Sequence, residues 1–454
     1  MAGSLRDEVR RNLTFWGMVG VVMTALKLKE NIDDYRQLST EDREGRVALH
    51  SPVDEESTPF RDGDLETAST IDTEIPGARP KRKRDCCVCC GLRCGLFWKA
   101  FGIVCLIFLT WNAIKLAMWA AKPTPTGLED MPAYSESLGC QNAPYFFDGL
   151  ETRTEIVALN PSKQDHSVDV RGGAVGTLLL TRGSPESTAV RYEMTLRADN
   201  SDLATKFVIT NPSDEEIEEG TSSSQLKLVT PSFIDAGSCM RYDVTMFIPP
   251  TIKKLHVSAH ATTQIRFDPD ADLEIDSFFV TTFSNDPKTM VLPTEKMRGK
   301  TTRLEMIRGW LVGSVSVVEK SQIYTQRGDA VANVHVKPAA FLPGSDNDEP
   351  KKAIFESITG AGRTDLFWES DKGTPHRQIE AVHRSSRNGD IYLTYKQSEF
   401  SGKVTLDAKS YSATGLQGTM DKNPDGTERQ PWVGDENGKD TLAVHSRGWV
   451  GLYF

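Results

Sequence analysis

Residues 379–393 have the sequence IEAVHRSSRNGDIYL, in which a short apolar–polar alternation leads into a polar corner and then into a second alternation. The pattern returns at residues 441–454 (TLAVHSRGWVGLYF), and weaker versions occupy residues 303–314 and 323–332. Alternation with period two is typical of a strand with one buried face, and glycine permits the positive φ of a tight corner. Because such units cannot bury a face alone, their repetition predicts a stacked β-solenoid, with a twisted β-sandwich as the alternative.

Similar alternation extends through the rest of the C-terminal region, and Gly, Asn-Gly, Asp and Pro turns separate the short segments. Long helical patterns are nearly absent there, so we expect an all-β domain over residues 136–454. Residues 212–224, PSDEEIEEGTSSS, are predicted to form a long loop within it. The further alternating segments are residues 242–248, 254–260, 330–336, 389–395 and 402–408.

Residues 96–121 predict one transmembrane helix, because only Lys115 is charged between Ala100 and Ala121 and a helix of that length crosses a hydrocarbon core of about 30 Å. By the positive-inside rule, the basic residues on its N-terminal side place the N-terminus in the cytosol and the C-terminal domain outside it. We therefore expect a single-pass protein of the plasma membrane or a secretory-pathway membrane. The flanking basic residues are Arg79, Lys81, Arg82, Lys83, Arg84 and Arg93 before the span, and Lys122 after it.

The N-terminal tail, residues 1–95, is predicted to be mostly disordered, since residues 33–84 are polar, poor in aromatic side chains and without apolar periodicity. Its one apolar stretch, LTFWGMVGVVMTAL, predicts a short interfacial helix over residues 13–28; insertion of this stretch into the membrane as a hairpin is the alternative. Residues 122–135 follow the span and begin KPTPTG, which predicts a semi-stiff stalk.

The chain carries a formal net charge of -10, most of it beyond the span. This acidity disfavours nucleic acid as a partner. The expected partners are the lipid bilayer and a protein or glycan ligand outside the cytosol.

The cysteines fall into two groups with different expected chemistry. The cluster beside the span favours reversible S-palmitoylation over zinc binding, because no second Cys/His pair lies at finger distance. The two cysteines beyond the span, Cys140 and Cys239, can form one disulfide in an oxidising compartment, or remain free thiols. The cluster consists of Cys86, Cys87, Cys89, Cys90 and Cys94.

No residue pattern identifies a catalytic, cofactor or metal site. The alternating acids of residues 268–276 are not an EF-hand loop, because Leu273 and Phe279 occupy the places of the required Gly and Glu. They predict the solvent face of a strand, with a loop calcium site as the alternative. We interpret four histidines as sheet residues and not zinc ligands, and four tryptophans as packing residues in preference to a sugar-stacking strip. These are His256, His260, His383 and His445, and Trp310, Trp368, Trp432 and Trp449.

The corner RNGDIYL at residues 387–393, after Ala381-Val-His383, resembles the repeat of the putative adhesin family. The resemblance covers about residues 251–454 and implies a single-stranded β-helix without established catalytic residues. The order of segments along the chain, from tail through basic Cys-rich stretch and span to β-rich domain, is similar to that of uncharacterised fungal single-pass transmembrane proteins. It implies a non-catalytic domain for surface or lumenal interaction such as adhesion; the alternative is an extracytoplasmic carbohydrate-active enzyme on a β-helix scaffold.

Overall fold

The structure is a computed structural model that divides the chain into two compact units, Met1–Thr124 and Pro125–Phe454. It describes residues 15–41, 88–89, 92–120, 126–232, 237–325, 328–339, 352–371, 373–418 and 430–454.

Two long helices, α1 (Phe15–Glu41) and α2 (Cys94–Ala120), dominate the first unit. Helix α1 packs against α2 through Val19, Ala100 and Val104, all of which are buried. The unit also contains two short paired strands, β1 (Val88–Cys89) and β2 (Leu92–Arg93).

Helix α1 is longer than the expected interfacial helix of residues 13–28. It continues through residues 29–41, KENIDDYRQLSTE, which contain no glycine or proline and several strong helix formers. The prediction of disorder is therefore wrong for residues 33–41. The remainder of the predicted disordered segment lies outside the described residues.

Within α2, Phe97–Met118 is long enough and apolar enough to cross a membrane. Large apolar side chains point away from the unit along this stretch, including Leu106 and Leu109, which are 64% and 68% exposed. Two members of the predicted palmitoylation cluster are in described elements: Cys89 in β1 and Cys94 at the start of α2. Cys86, Cys87 and Cys90 lie outside the described residues, and the modification stays a prediction.

The described part of the second unit is mostly β-strand, which confirms the expected β-rich class. Two short helices interrupt the strands, α3 (Ser201–Ala204) and α4 (Asp214–Glu218). The strands are β3 Tyr145–Phe146, β4 Arg153–Ala158, β5 Asp165–Arg171, β6 Val175–Arg182, β7 Ala189–Ala198, β8 Val208–Thr210, β9 Gln225–Val229, β10 Met240–Ile248, β11 Lys254–Ala259, β12 Thr262–Phe267, β13 Leu273–Thr282, β14 Met290–Leu292, β15 Met297–Met306, β16 Trp310–Val317, β17 Lys320–Tyr324, β18 Val331–Pro338, β19 Ala353–Thr359, β20 Arg363–Glu369, β21 Ile379–Ser385, β22 Asp390–Gln397, β23 Gly402–Thr414, β24 Trp432–Val433 and β25 Asp440–Tyr453.

From β11 to β20, every strand pairs in parallel with the strand two positions later, so consecutive strands alternate between two ladders. Ladder A contains β9, β5, β11, β13, β15, β17, β19 and β21, and ladder B contains β10, β6, β12, β14, β16, β18, β20 and β22. The long strands β25 and β23 extend both ladders, because their first halves continue ladder A and their second halves ladder B. Antiparallel pairing occurs with β7, β8 and β24.

The core lies between the two ladders, because alternate side chains from both of them form one buried cluster. In β18, for example, Ala332, Val334 and Val336 are completely buried, whereas Val331, His335 and Lys337 are only partly buried. We call the less buried side of each ladder its outer face. The predicted period-two alternation thus reflects one face in the core and one face toward solvent.

Glycine is required at the polar corners for two reasons. Gly309 has φ of 112°, and a Cβ there would lie 2.1 Å from the carbonyl oxygen of Thr289. At Gly389 the reason is close approach alone, since a Cβ would lie 2.5 Å from the carbonyl oxygen of Gly360 in the preceding corner. Stacked corners approach too closely there for any larger residue.

The predicted loop at residues 212–224 contains helix α4, so that prediction is wrong in part. Ser213 caps the helix, its hydroxyl accepting from the backbone N–H of Glu216 while the Glu216 carboxylate accepts from the backbone N–H of Ser213. This is a capping box, whose S-x-x-E pattern is visible in the sequence.

The segment from Thr126 to Cys140, which we call the strap, lies across the outer face of ladder B. A Cβ at Gly127 would lie 2.9 Å from Cδ of Arg363 in β20, and the centroid of the Tyr134 ring lies 5.5 Å from the guanidinium of Arg266 in β12. Residues 126–135 are therefore packed on the domain and do not form the expected stalk. Residues 122–125 lie outside the described residues.

Arg241 of β10 holds the far end of the strap. Its side chain is 2% exposed, and the guanidinium donates to the carbonyl oxygens of Ser135 at 3.0 Å and Gly139 at 2.7 Å. It also pairs with Asp243, so the buried charge is compensated. These charge-assisted bonds explain why a proline-containing segment is ordered on the domain.

A disulfide ends the strap, joining Cys140 to Cys239 with a Cα–Cα distance of 5.9 Å. Cys239 immediately precedes β10, so the bridge anchors the strap to a strand of ladder B. The sequence separation of the two cysteines is 99 residues.

Candidate functional site

A cavity of about 330 Å³ opens on the outer face of ladder A, near its first strands. Three neighbouring strands, β5, β11 and β13, form its floor, and the segment before β9 forms one wall. Its lining residues are Asp165, His166, Ser167, Ser223, Ser224, Lys254, Leu255, His256, Ser277 and Phe279.

Strand register brings these side chains together from distant parts of the sequence. Lys254 pairs with Asp165 on one side and with Ser277 on the other. One pleat further along, His256 pairs in the same way with Ser167 and Phe279. The pocket is therefore two rows of three outward-facing side chains, which alternate with the buried row of the core.

Asp165 has a carboxylate oxygen that accepts no hydrogen bond from the described residues. Its Oδ1 is buried and has no hydrogen-bond partner among the described residues. A desolvated carboxylate oxygen without a donor is costly, and a rotation of the side chain that lets it accept from a ligand N–H or O–H would recover that energy. Lys254, on the adjacent strand, adds a donor to the same pocket.

The pocket also contains a serine–histidine pair, but its hydrogen bonds prevent nucleophilic catalysis. The Ser224 hydroxyl donates to the carbonyl oxygen of Ala158 at 2.7 Å, so it accepts from Nδ1 of His166, also at 2.7 Å. The other ring nitrogen then accepts from the Tyr192 hydroxyl at 2.5 Å. Burial lowers the pKa of His166 to about 3. The nitrogen that faces Ser224 already carries a proton, and an imidazole with a pKa of about 3 is too weak a base to take the serine proton near neutral pH.

His256 is the exposed histidine of the pocket. Partial burial lowers the pKa of its imidazole, the charge of Asp169 opposes that shift, and Arg303 lowers the pKa further. Its ring meets Phe279 edge to face, with centroids 6.4 Å apart. The pocket therefore presents a neutral ring system at neutral pH beside one carboxylate and one ammonium group.

The four singled-out histidines do not meet. His256 lines the pocket, whereas His260 stacks on Phe283 with centroids 4.4 Å apart. His383 is completely buried in the core, and His445 is exposed on β25. Across the described ranges, no three His, Cys, Asp or Glu side chains form a group that could hold a metal ion.

The acids of residues 268–276 belong to a turn and a strand. Asp268 accepts from the Thr181 hydroxyl at 2.5 Å and from the backbone N–H of Asp270 at 3.0 Å. Leu273 and Ile275 are buried in β13, which confirms the prediction that the later acids line the solvent face of a strand.

The four tryptophans do not form one strip. Trp368 is 1% exposed in the core, as the packing interpretation predicts. Trp310 is partly buried and donates from Nε1 to the carbonyl oxygen of Pro287 at 3.0 Å. Trp432 lies in β24, and Trp449 lies on the outer face of β25.

Of the pocket residues, only His256 stands out in the sequence, where it is interpreted as a sheet residue; Asp165, Lys254, Ser277 and Phe279 were missed as a group. Each is an ordinary outward-facing residue of its own strand. Only the pairing of β5 with β11, which are separated by five other strands in the chain, places them side by side.

No protein-family model matches the chain, and no curated protein sequence matches it. Several solved structures are similar to it at low identity, among them crystal structures of three bacterial proteins. A putative cell adhesion protein from Clostridium sporogenes is 11% identical with a TM-score of 0.20, over 66% of this chain and 99% of the other. A putative adhesin from Bacteroides fragilis is 10% identical with a TM-score of 0.31, over 66% and 96%. A putative adhesin from Parabacteroides merdae is 11% identical with a TM-score of 0.30, over 67% and 97%.

Proposed function

We propose that this chain is a single-pass membrane protein with a cytosolic N-terminus, which presents a non-catalytic β-solenoid for surface or lumenal interaction such as adhesion. Two strands and two corners would make one coil of the solenoid. Support for this architecture, over a β-sandwich, comes from the parallel pairing of each strand with the strand two positions later.

Membrane insertion is supported by the apolar stretch Phe97–Met118 and by the basic residues that precede it. A helix whose large apolar side chains are exposed needs an apolar environment. The positive charges favour retention of the preceding residues in the cytosol.

We predict that protease added to sealed microsomes will cut an epitope tag placed before Arg84 and leave residues 125–454 intact. The charge bias around the span gives this direction. The control is the same digestion after detergent permeabilisation, which should degrade both parts. Protection of the tag together with digestion of the β-rich unit would reverse the proposed topology.

One observation supports the non-catalytic role. The pocket contains a carboxylate oxygen without a hydrogen-bond donor, Asp165 Oδ1, and also a serine–histidine pair in which every hydrogen bond joins neutral groups. A ligand donor that reaches the Asp165 carboxylate would complete its hydrogen bonding, whereas the serine–histidine pair cannot activate a ligand. A polar cavity with an acceptor, an ammonium donor and several hydroxyl groups suits recognition of a polar surface group on a partner.

We predict that Asp165→Asn will weaken ligand binding by roughly tenfold or abolish it. The measurement is binding of the full-length protein in nanodiscs to printed glycan and peptide arrays. The matched control is Asp169→Asn, on the same face of the same strand but outside the pocket. Its carboxylate pairs with Arg171 and also has one oxygen without a hydrogen bond.

The same arrays, analysed for hydrolysis products, separate binding from turnover. Binding without products, lost in Asp165→Asn and kept in Asp169→Asn, is the expected result. Hydrolysis that disappears with one Asp or Glu substitution would instead identify a carbohydrate-active enzyme.

A further inference from the structure

Both ladders end in β23, and one edge of this strand is open. On one side, β23 pairs in parallel with β25 along almost its whole length. On the other side, β24 pairs only with Gly402 and Lys403, and the backbone N–H of Val404 donates to the carbonyl oxygen of Pro431 at 2.8 Å. No described strand pairs with residues 405–414 on that side, which we call the open edge. Unpaired strand edges are templates for pairing with another strand.

In the first half of β23, two residues present their backbone groups to the open edge. The N–H and C=O groups of successive residues point to opposite sides of a strand. Since the N–H of Val404 points away from β25, those of Leu406 and Ala408 do so too. A strand laid alongside β23 would therefore bond to both residues.

In the second half of β23, the same argument identifies two more residues. The carbonyl oxygen of Thr414 accepts from the N–H of Phe454 at 3.2 Å, so Thr414 points to the side of β25. Tyr411 and Ala413 differ from Thr414 by an odd number of residues, and their backbone groups therefore point to the open edge.

These four residues are symmetric about the corner of β23, where the register with β25 shifts. Leu406 and Ala408 precede the point between residues 409 and 410 by the same distances at which the other two follow it. The open edge has the same midpoint. In a second copy of β23 that runs antiparallel, Ala413 would lie against Leu406 of the first copy. Tyr411 would lie against Ala408, and each pair would exchange two backbone hydrogen bonds.

The same four side chains lie on the core side of β23, where the hydrophobic core ends. Their register partners on β25 include Val444, Val450 and Leu452, which are completely buried. On β23 itself, by contrast, Leu406 is only partly buried and Tyr411 is 48% exposed. Antiparallel pairing of two copies would join their cores and remove this apolar surface from water.

On the outer face of β23, the same pairing sets no like charges directly opposite each other. Asp407, whose side chain is 84% exposed, would lie opposite Ser412 of the second copy. Lys409 would lie opposite Ser410. Because like charges directly opposite destabilise a strand pair, the sequence of β23 is compatible with self-pairing.

We propose that the open edge is an interface at which two copies of this chain pair, β23 against β23, about a two-fold axis. Such an interface is complete with two copies, because each copy uses the same surface. The contact goes beyond the function proposed above and is separate from the Asp165 pocket.

A head-to-tail filament is the competing assembly of the same chain, and strand length disfavours it. Among the described strands, β4 pairs only with β7 and β8 pairs only with β9, so both have an open side at the other end of the ladders. They have six and three residues, and neither matches the length of the open edge. A strand of an unrelated protein would need a corner at the same position and apolar side chains at the same four places.

The first test is the mass of the full-length protein in detergent micelles, measured by light scattering over a range of concentrations with the detergent mass subtracted. We expect a reversible equilibrium between one chain and two. Ala408→Pro removes one N–H from the open edge without removing a bond to β25, and Tyr411→Lys adds a charge to the apolar side. Each should weaken dimerisation by roughly tenfold or more.

Tyr145→Lys is the matched control, because Tyr145 in β3 is similarly exposed, at 46%, and lies outside the open edge. It should leave dimerisation unchanged. Circular dichroism verifies that each variant is folded.

The second test is a disulfide that the proposed register allows. In a chain whose cysteines other than Cys140 and Cys239 are serine, Asp407→Cys combined with Ser412→Cys should give a covalent dimer on mild oxidation. The two positions would lie directly opposite in a non-hydrogen-bonded pair, with Cα atoms about 4.5 Å apart. Within one chain they are too far apart along the strand to be bridged. Asp407→Cys alone is the control and should give no cross-link.

Asp165→Asn should leave the dimer unchanged, so failure of the pocket and failure of the interface are distinguishable. Four results would each overturn the proposal: a single chain at every concentration, a dimer equally strong in Ala408→Pro and Tyr411→Lys, a mass that grows beyond two chains, or no cross-link in the double cysteine variant.

Discussion

Replacing Cys140 and Cys239 together by alanine is expected to lower the free energy of unfolding of the β-rich unit by about 4 to 5 kcal/mol. The bridge closes a loop whose ends are 99 residues apart in sequence, and its removal returns that loop's freedom to the unfolded chain. The strap would then be held only by hydrogen bonds and packing, such as those of Arg241. We expect this to be the largest effect of any side-chain replacement outside the core.

Urea titration of the full-length protein in detergent, followed by circular dichroism of the β-sheet signal, measures the shift. Cys105→Ala, which removes a free thiol in α2, is the control and should not move the midpoint. Limited proteolysis should also cut the strap faster in the double variant. An unchanged midpoint would show that the bridge contributes nothing to stability.

A variant in which the other six of the eight cysteines are serine tests the bridge itself. Before reduction it should show no reactive thiol, and after reduction it should show two. Two reactive thiols without reduction would mean that the disulfide is absent.

Acidification from about pH 7 to about pH 5 is expected to destabilise the β-rich unit by about 2 kcal/mol for each of its two buried histidines, His166 and His383. Burial lowers the pKa of each to about 3, whereas an unfolded histidine titrates near 6.5. As the pH falls below about 6.5, the unfolded chain therefore binds protons that the folded chain does not. The stability is fully present above that pH and is lost progressively toward about pH 3.

The two histidines share one arrangement. Each ring lies between a serine hydroxyl and a tyrosine hydroxyl; for His383 these are Ser357 at 2.8 Å and Tyr395 at 3.1 Å. Protonation would add an uncompensated charge to a core where the ring is completely buried.

His383→Gln keeps a polar side chain in this arrangement and removes its titration, so it should remove about half of the pH dependence. His445→Gln is the matched control, since His445 is exposed on β25. Urea midpoints at several pH values between about 5 and 7 give the slopes. A slope in His383→Gln that equals that of wild type would contradict the prediction, and His166→Gln tests the second site independently.

Local pattern predicted much of this protein. The alternation in residues 379–393 correctly gave two strands around a corner, β21 and β22, because one face of each strand lies in the core. Hydropathy alone identified the apolar helix that contains Phe97–Met118. The capping box at Ser213 is also visible in the local sequence as an S-x-x-E spacing. The loop prediction missed it because it relied on the polar composition of residues 212–224.

Tertiary structure decided everything that depends on which strands are neighbours. Proline content predicted a stalk before residue 135, yet Arg241 and Arg266, more than a hundred residues later, bind that segment to ladder B. Asp165 and Lys254 meet only through the register of β5 and β11. A strand's own sequence fixes which side chains face outward, because that depends on a period of two. It does not fix the partner strand, because parallel pairing joins backbone groups that are alike in every residue except proline.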